Sequence, residues 1–455
     1  MPIWEAPDEP AHYHYILHIL ENRSLPEYED TPEAGQPPLY YLMASLPLGI
    51  LQQIDREAVE LYQPPSLRDE ALATGSLRLW DWNRDTYRFL AGPLLLRWLN
   101  IAVGLAAVVF IYRGALIFTF GNTSLALAAA ALIGLTPQFL HIAASVSNDP
   151  LAYLTGAVLF WLLGLIVTRA FSPGRLIVIG LLAITVPFLV KFTAVPAGIA
   201  VAIAALVKLR SHLTTRPRVL AVLAGGFGLA AIGAWVLLGT SLGDRLYFEL
   251  AYRLGTFRSD PFAGPVLYQL GIFAWSFWGL IGLVRVGLPS ELIIVLSGLS
   301  LIGLLLAFQQ SFLARDRRLV IAFGAVLLTA GLVIAVGLGY SLVGSVLVAA
   351  GVLVLRRDET GPAGDQARIW PFLWLFVLIG VAAFVRNFLT TPQFQGRFVF
   401  PSAGAITTLI VIGWDAMLGR RSDVILVLVT AGMMLMNLWM WFAQVIPVFY
   451  QPFLD

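Results

Sequence analysis

The stretch GPLLLRWLNIAVGLAAVVFIYRGALIF, residues 92–118, decides the fold: fifteen uncharged and mostly apolar residues separate Arg97 from Arg113. About twenty such residues in a helix match the hydrocarbon thickness of a bilayer, so the stretch reads as a spanning helix, with Arg97 and Asn100 near its entry and Arg113 near its exit. The rest of the chain repeats the pattern. It is 58% hydrophobic and 12% charged, with a mean hydropathy of +0.81, which excludes a soluble domain and predicts an all-α polytopic membrane protein. With no cysteine, neither disulfides nor thiolate chemistry nor a Cys-based metal site can contribute.

Outward from 92–118, further spans are expected at 124–140, 151–168, 218–240, 291–310, 319–337, 341–355, 369–385, 398–417 and 423–443. The stretch 176–207 is broken by Pro187, Lys191 and Pro196 and reads as two short helices meeting at Lys191. These make about twelve spans, with 265–284 lying along the interface. Cytoplasmic loops favour Lys and Arg, and this arrangement puts fifteen basic residues after Arg97 on the inner side and seven on the outer. The outer side then holds residues 1–91, Asn148-Asp149, Lys191, the loop 241–290 and residues 386–397.

The chain thus divides into an outer region, 1–91, and a helical membrane region, 92–455. The first carries fifteen acidic and six basic residues, net −9, and the second twelve acidic and twenty-three basic, net +11. Within the outer region, residues 38–51 are too short to span comfortably and contain Pro47, so they predict an aromatic-rich interfacial helix. Trp80, Trp82 and Tyr87 stand at headgroup level before the first span. Met1 is six residues before Pro7-Asp8-Glu9, with no basic or long apolar stretch between. An upstream helix, a thirteenth, is therefore expected to carry the acidic segment across.

Candidate chemistry gathers on the outer side. Asp8 and Glu9 can act as a general base and its partner if desolvation near lipid raises a carboxylate's pKa toward the working pH; otherwise they form a solvated loop in which Asp8 caps the helix 9–21. His12, His14 and His18 lie close by, and the i, i+4 pair His14 and His18 is spaced for a metal ion or is simply interfacial. Glu33, before Gln36-Pro37-Pro38, supplies a further carboxylate or is a loop residue. Asp149, after Asn148, is a natural N-cap for a helix starting at Pro150. Lys191 is the only charge in 176–207; it marks a functional site or snorkels to the surface. Arg397, after Gly396, can hold a phosphate through paired hydrogen bonds or end a helix at the interface.

Five motifs carry a resemblance. Pro7-Asp8-Glu9-Pro10-Ala11-His12-Tyr13, Gln36-Pro37-Pro38-Leu39-Tyr40-Tyr41, Ser145-Val146-Ser147-Asn148-Asp149, Ser276-Phe277-Trp278-Gly279 and Gln395-Gly396-Arg397-Phe398 follow one another across about 390 residues. In this order the chain resembles the GT-C superfamily of integral membrane glycosyltransferases, which includes protein mannosyltransferase-like and aminoarabinose transferase-like members. It is closest to a family of bacterial membrane proteins of unknown function.

The resemblance implies about thirteen helices and a sugar transferred, with inversion, from a polyprenyl-phosphate-linked donor to a glycan, lipid or protein acceptor of the cell envelope. It implies Asp8 as base and Glu9, Glu33 or Asp149 as groups that bind acceptor or metal, with His12, Gln36 and Asn148 beside them and Lys191 and Arg397 holding the donor phosphate. A divalent metal ion is an open cofactor. The setting implied is the outer face of a bacterial cytoplasmic membrane, with the lipid bilayer and no nucleic acid as partner. A transporter or lipid-linked glycan flippase is the alternative, but it needs polar groups along a central pathway, whereas here the charges gather at the outer helix ends.

Overall fold

The computed structural model describes residues 4, 6, 8–27, 29–59, 84–210, 266–281, 286–313, 317–332, 341–355, 366–390 and 395–449. They are almost entirely helical. The first 59 residues contribute α1 (Glu9–Asn22), a 3₁₀ turn over Pro32–Gly35 and α2 (Leu39–Ile54). The membrane region follows with α3 (Arg84–Phe118), α4 (Thr123–Gly134), α5 (Pro137–Ala143), α6 (Asp149–Thr168), α7 (Pro173–Val190), α8 (Val195–Arg210) and α9 (Val266–Trp278). After a two-residue antiparallel pair, Leu280–Ile281 with Val286–Gly287, come α10 (Ser290–Phe308), α11 (Arg317–Leu332), α12 (Ser341–Leu355), α13 (Gln366–Thr390), α14 (Ala403–Met417) and α15 (Ser422–Met440).

Eight helical stretches among the described residues are long and apolar enough to cross a bilayer. They become nine if α4 and α5, bent by 65° at Leu135-Thr136, form one broken span. A multi-pass membrane protein follows. The stretch expected at 218–240 lies outside the described residues, as do Trp80, Trp82 and most of the loop 241–290. Where spans were expected at 319–337 and 341–355, α11 and α12 are described over 16 and 15 residues. At 1.5 Å per residue these are about 24 and 22 Å long, short of a hydrocarbon core of about 30 Å. Helix α9 is described over 13 residues.

The break at Lys191 occurs as expected. The preceding helix ends on Lys191, whose backbone is extended at φ −169°, and a 3₁₀ turn at Phe192–Ala194 leads into α8. Pro187 and Pro196 flank the break, and proline lacks the N–H that a continuous helix needs. Helix α2 buries Tyr40, Tyr41, Ala44 and Leu48 on one side. Its other side exposes Met43, Leu46, Ile50 and Ile54, spaced at three to four residues along one stripe. An exposed apolar stripe of this kind suits a helix resting on lipid.

Two close contacts fix the Gly396–Ser402 turn. Gly156 lets α6 meet the turn Gly396–Ser402 so closely that a Cβ there would stand 2.1 Å from the Pro401 carbonyl oxygen. Gly396 is equally close-packed: its N–H donates to Ser276 Oγ at 2.7 Å, and a Cβ would lie 2.6 Å from both the Phe273 oxygen and Phe277 Cβ. The Ser276–Gly279 and Gln395–Phe398 motifs therefore meet, and Arg397 is held beside the start of α6.

Candidate active site

Where α1, the Pro32–Gly35 turn, the start of α6, the Lys191 break and the Gly396–Ser402 turn converge, they enclose a small polar cleft of about 100 Å³. Asp8, His12, Glu33, Gln36, Asp149, Lys191 and Arg397 line it, together with Phe192, Thr193 and Phe398. Seven residues singled out in the sequence, spread over nearly 390 positions, thus face one space. Asn148 lies immediately behind. Its Oδ1 accepts from Lys191 Nζ at 2.7 Å, and its Nδ2 donates to Gln36 Oε1 at 3.1 Å.

Lys191 and Arg397 are both buried. Lys191 does not snorkel, because its Nζ stands 2.8 Å from Asp149 Oδ1. Arg397 lies between two acids, with Nη1 3.5 Å from Asp149 Oδ2 and Nη2 3.7 Å from Asp8 Oδ2. Charge-assisted hydrogen bonds close to about 2.7–2.9 Å, so these two approaches are ion pairs rather than full hydrogen bonds. Its buried Nε has no hydrogen-bond partner among the described residues. A buried guanidinium with donor capacity to spare is suited to an incoming anion.

Asp149 is the first residue of α6, and Asn148 occupies the N-cap position without capping through its side chain. The expected capping role for Asp149 is corrected: its carboxylate faces the two cations. Asp8 stands at the N-cap position of α1 with φ 61° and makes no side-chain cap. N-cap residues normally adopt extended angles, whereas Asp8 is left-handed, a conformation that Asp tolerates better than most residues. Its side chain is 56% exposed, which leaves the carboxylate accessible.

Glu9 is placed differently from its neighbour. It is fully buried and takes four hydrogen bonds: from Arg97 Nε at 2.8 Å and Nη2 at 2.6 Å, and from the Trp4 and Val146 N–H groups, each at 2.9 Å. It does not line the cleft. Its partners tie α1 to α3 and to the Ser145–Asp149 segment. Asn100, one turn along α3, adds to this tie by donating to Tyr40 Oη and to the Ser145 and Ser147 carbonyls.

His12 is buried, with Nδ1 2.7 Å from Tyr41 Oη. Burial, reinforced by the Lys191 charge, pushes its pKa down from 6.5 to about 3; Asp149 opposes the shift and Arg397 adds to it. The imidazole facing the cleft is therefore neutral. Glu33 moves the other way: burial raises its pKa, with Asp8 and Asp149 in support, while Lys191 and a hydrogen bond from Gln36 oppose. The pocket thus pairs an accessible carboxylate, a carboxyl group biased toward its neutral form and two buried cations.

No protein-family model, curated protein or solved structure matches the chain. Whatever function is assigned must therefore rest on this geometry.

A metal centre finds no support in side-chain placement. Among the described residues no group of three His, Asp or Glu converges as ligands. Of the His14 and His18 pair, His18 is engaged locally: its ring nitrogens lie 3.3 Å from Ser24 Oγ and 3.2 Å from Asn22 Nδ2, with Asp30 at 3.6 Å. Sequence reasoning missed the Glu9–Arg97 pair, although a charge inside an apolar span was the signal, since such a residue is expected to have a partner. It also missed Phe192 and Thr193, which carry no distinguishing chemistry of their own.

Proposed function

We propose that this protein is a membrane glycosyltransferase of GT-C-like architecture, with about twelve spanning helices, that takes a sugar from a polyprenyl-phosphate-linked donor on the outer face of the membrane. One observation carries the reading: an accessible carboxylate, Asp8, and two buried cations, Lys191 and Arg397, share one small cleft. Small-molecule sites commonly measure about 300–1,000 Å³, so a cleft of about 100 Å³ suits a phosphate group while the sugar and the lipid chain extend beyond it.

In the proposed reaction the donor phosphate lies against Lys191 Nζ and the Arg397 guanidinium. Asp8 removes the proton from an acceptor hydroxyl as that oxygen attacks the anomeric carbon from the side opposite the phosphate. The new C–O bond forms as the sugar–phosphate C–O bond breaks. The electron pair of the broken bond leaves with the phosphate oxygen, and inversion results. Fixed positive charge where negative charge develops is an effective form of catalysis in a site screened from water. Asp149 holds the two cations in place, Asn148 and Gln36 brace Lys191, and neutral His12 and Glu33, whose pKa burial raises, can hydrogen-bond sugar hydroxyls.

The test is release of polyprenyl phosphate from a panel of labelled lipid-phosphate sugars by membranes containing the full chain. Wild type should turn over one donor, and Asp8→Asn should lose at least 100-fold, the lower end of general-base contributions, at unchanged protein level. Turnover by Asp8→Asn at the wild-type rate would remove Asp8 from the mechanism. Donor translocation without sugar transfer would favour transport instead.

A further inference from the structure

A second cavity, of about 510 Å³, lies on the other side of the segment that carries Asp8. Ala6 lines this cavity and Asp8 lines the polar cleft, with the buried Glu9–Arg97 pair following directly in the chain. The walls are apolar. Leu140, Met434, Leu438 and Trp441 are 40%, 55%, 52% and 43% exposed, and the last three belong to the spanning stretch Ser422–Phe449, so the surface around the cavity faces hydrocarbon rather than water.

The polar groups in this wall limit what can enter. The Arg97 guanidinium is already neutralised by two short hydrogen bonds to Glu9. Asn437 Nδ2 is taken by the Leu135 and Met433 carbonyls at 2.6 and 2.8 Å. His141 is different. Its side chain lines the cavity and is only 8% exposed, and its buried Nε2 has no hydrogen-bond partner among the described residues. A buried polar atom without a partner costs roughly 1–3 kcal/mol, and a ligand that supplies one recovers part of that.

We propose that this cavity binds a neutral membrane amphiphile, a single hydrocarbon chain bearing a hydroxyl, with the hydroxyl on His141 Nε2 and the chain between α5 and α15. Among the described residues no acidic side chain lines the cavity and Arg97 is already paired with Glu9, so an anionic headgroup gains little countercharge there and a cationic one meets no carboxylate. A hydroxyl both donates and accepts, so it satisfies Nε2 in either tautomer. The chain fits because the lining is apolar and the cavity falls within the usual volume range of small-molecule sites. The ligand is distinct from the anionic donor proposed above, and its binding does not depend on sugar transfer.

The probe is hexadecanol carrying a mid-chain diazirine, photolysed with the full chain in detergent micelles and mapped by peptide mass spectrometry. Label should concentrate on peptides containing Leu140 and Leu438. Unlabelled hexadecanol should compete with it, and monohexadecyl phosphate should compete at least tenfold more weakly. His141→Phe should lower labelling about 3- to 10-fold, the worth of one neutral hydrogen bond. If His141→Phe is poorly folded, the competition in wild type decides alone. Label spread evenly onto the exposed Val295 and Leu299 face of α10, or a phosphate ester that competes as well as the alcohol, would overturn the proposal. Neither outcome bears on Asp8, whose role is read from turnover.

Discussion

Glu9→Gln and Asp8→Asn make the same chemical change at adjacent positions, and the structure gives them opposite consequences. Glu9 is fully buried and accepts four hydrogen bonds, two of them from Arg97. The amide keeps the shape but removes the charge and one acceptor, so the buried Arg97 loses the charge that Glu9 sets against it. Breaking one side of a buried ion pair costs about 3–5 kcal/mol. Asp8, 56% exposed, makes no cap and no close hydrogen bond, so Asp8→Asn should change stability by no more than about 0.5 kcal/mol.

Thermal unfolding of the purified full chain, followed by size-exclusion fluorescence after heating, measures both variants. Glu9→Gln should melt well below wild type while Asp8→Asn melts with it, and only Asp8→Asn should lose turnover without losing protein. Adding Arg97→Met to Glu9→Gln should recover part of the loss, because a neutral pair no longer buries an unmatched charge. A Glu9→Gln protein that melts like wild type, or one whose loss Arg97→Met deepens additively, would refute the assignment of Glu9 to structure.

Lys191→Met should raise the donor KM or lower kcat about 10- to 100-fold, the worth of one charged hydrogen bond; it should also destabilise the protein by stranding Asp149, so kinetics are read on the folded fraction. Arg397→Lys keeps the charge but loses the planar fork, and a loss of about tenfold or more in kcat/KM for the donor is expected, with little change for the acceptor. For His12 the folded pKa of about 3 lies below the ordinary 6.5, so the unfolded chain binds the proton first as pH falls. Stability due to this neutral imidazole is present above pH 6.5 and is lost progressively between pH 6.5 and about 3. A melting series should show that slope in wild type and a shallower one in His12→Asn. Glu33, with its pKa raised by burial, acts in the opposite sense: stability falls as pH rises above its ordinary value of 4.5 toward the folded pKa, and Glu33→Gln should remove that component.

The membrane character of the chain was readable from residues 92–118 alone, because a bilayer fixes both the length and the polarity of what crosses it. The helix break at Lys191 was readable for the same reason, since prolines and a charge interrupt an otherwise apolar run. Most of the cleft's members could also be named in advance, as charges that an apolar chain can keep at depth only for a purpose or with a partner. The sequence could not say which carboxylate does what. Asp8 and Glu9 are adjacent and chemically alike, and a turn of backbone at φ 61° sends one to an accessible cleft and the other into the grip of Arg97, 88 residues away. Nor could it say that Asp149, one residue inside the helix rather than at its cap, would face Arg397, because that depends on the close approach of Gly156 to Pro401. Local patterns fix which segments enter the membrane, since solvent transfer acts residue by residue. Pairing among distant charges is decided only when packing sets which of them are close enough to matter.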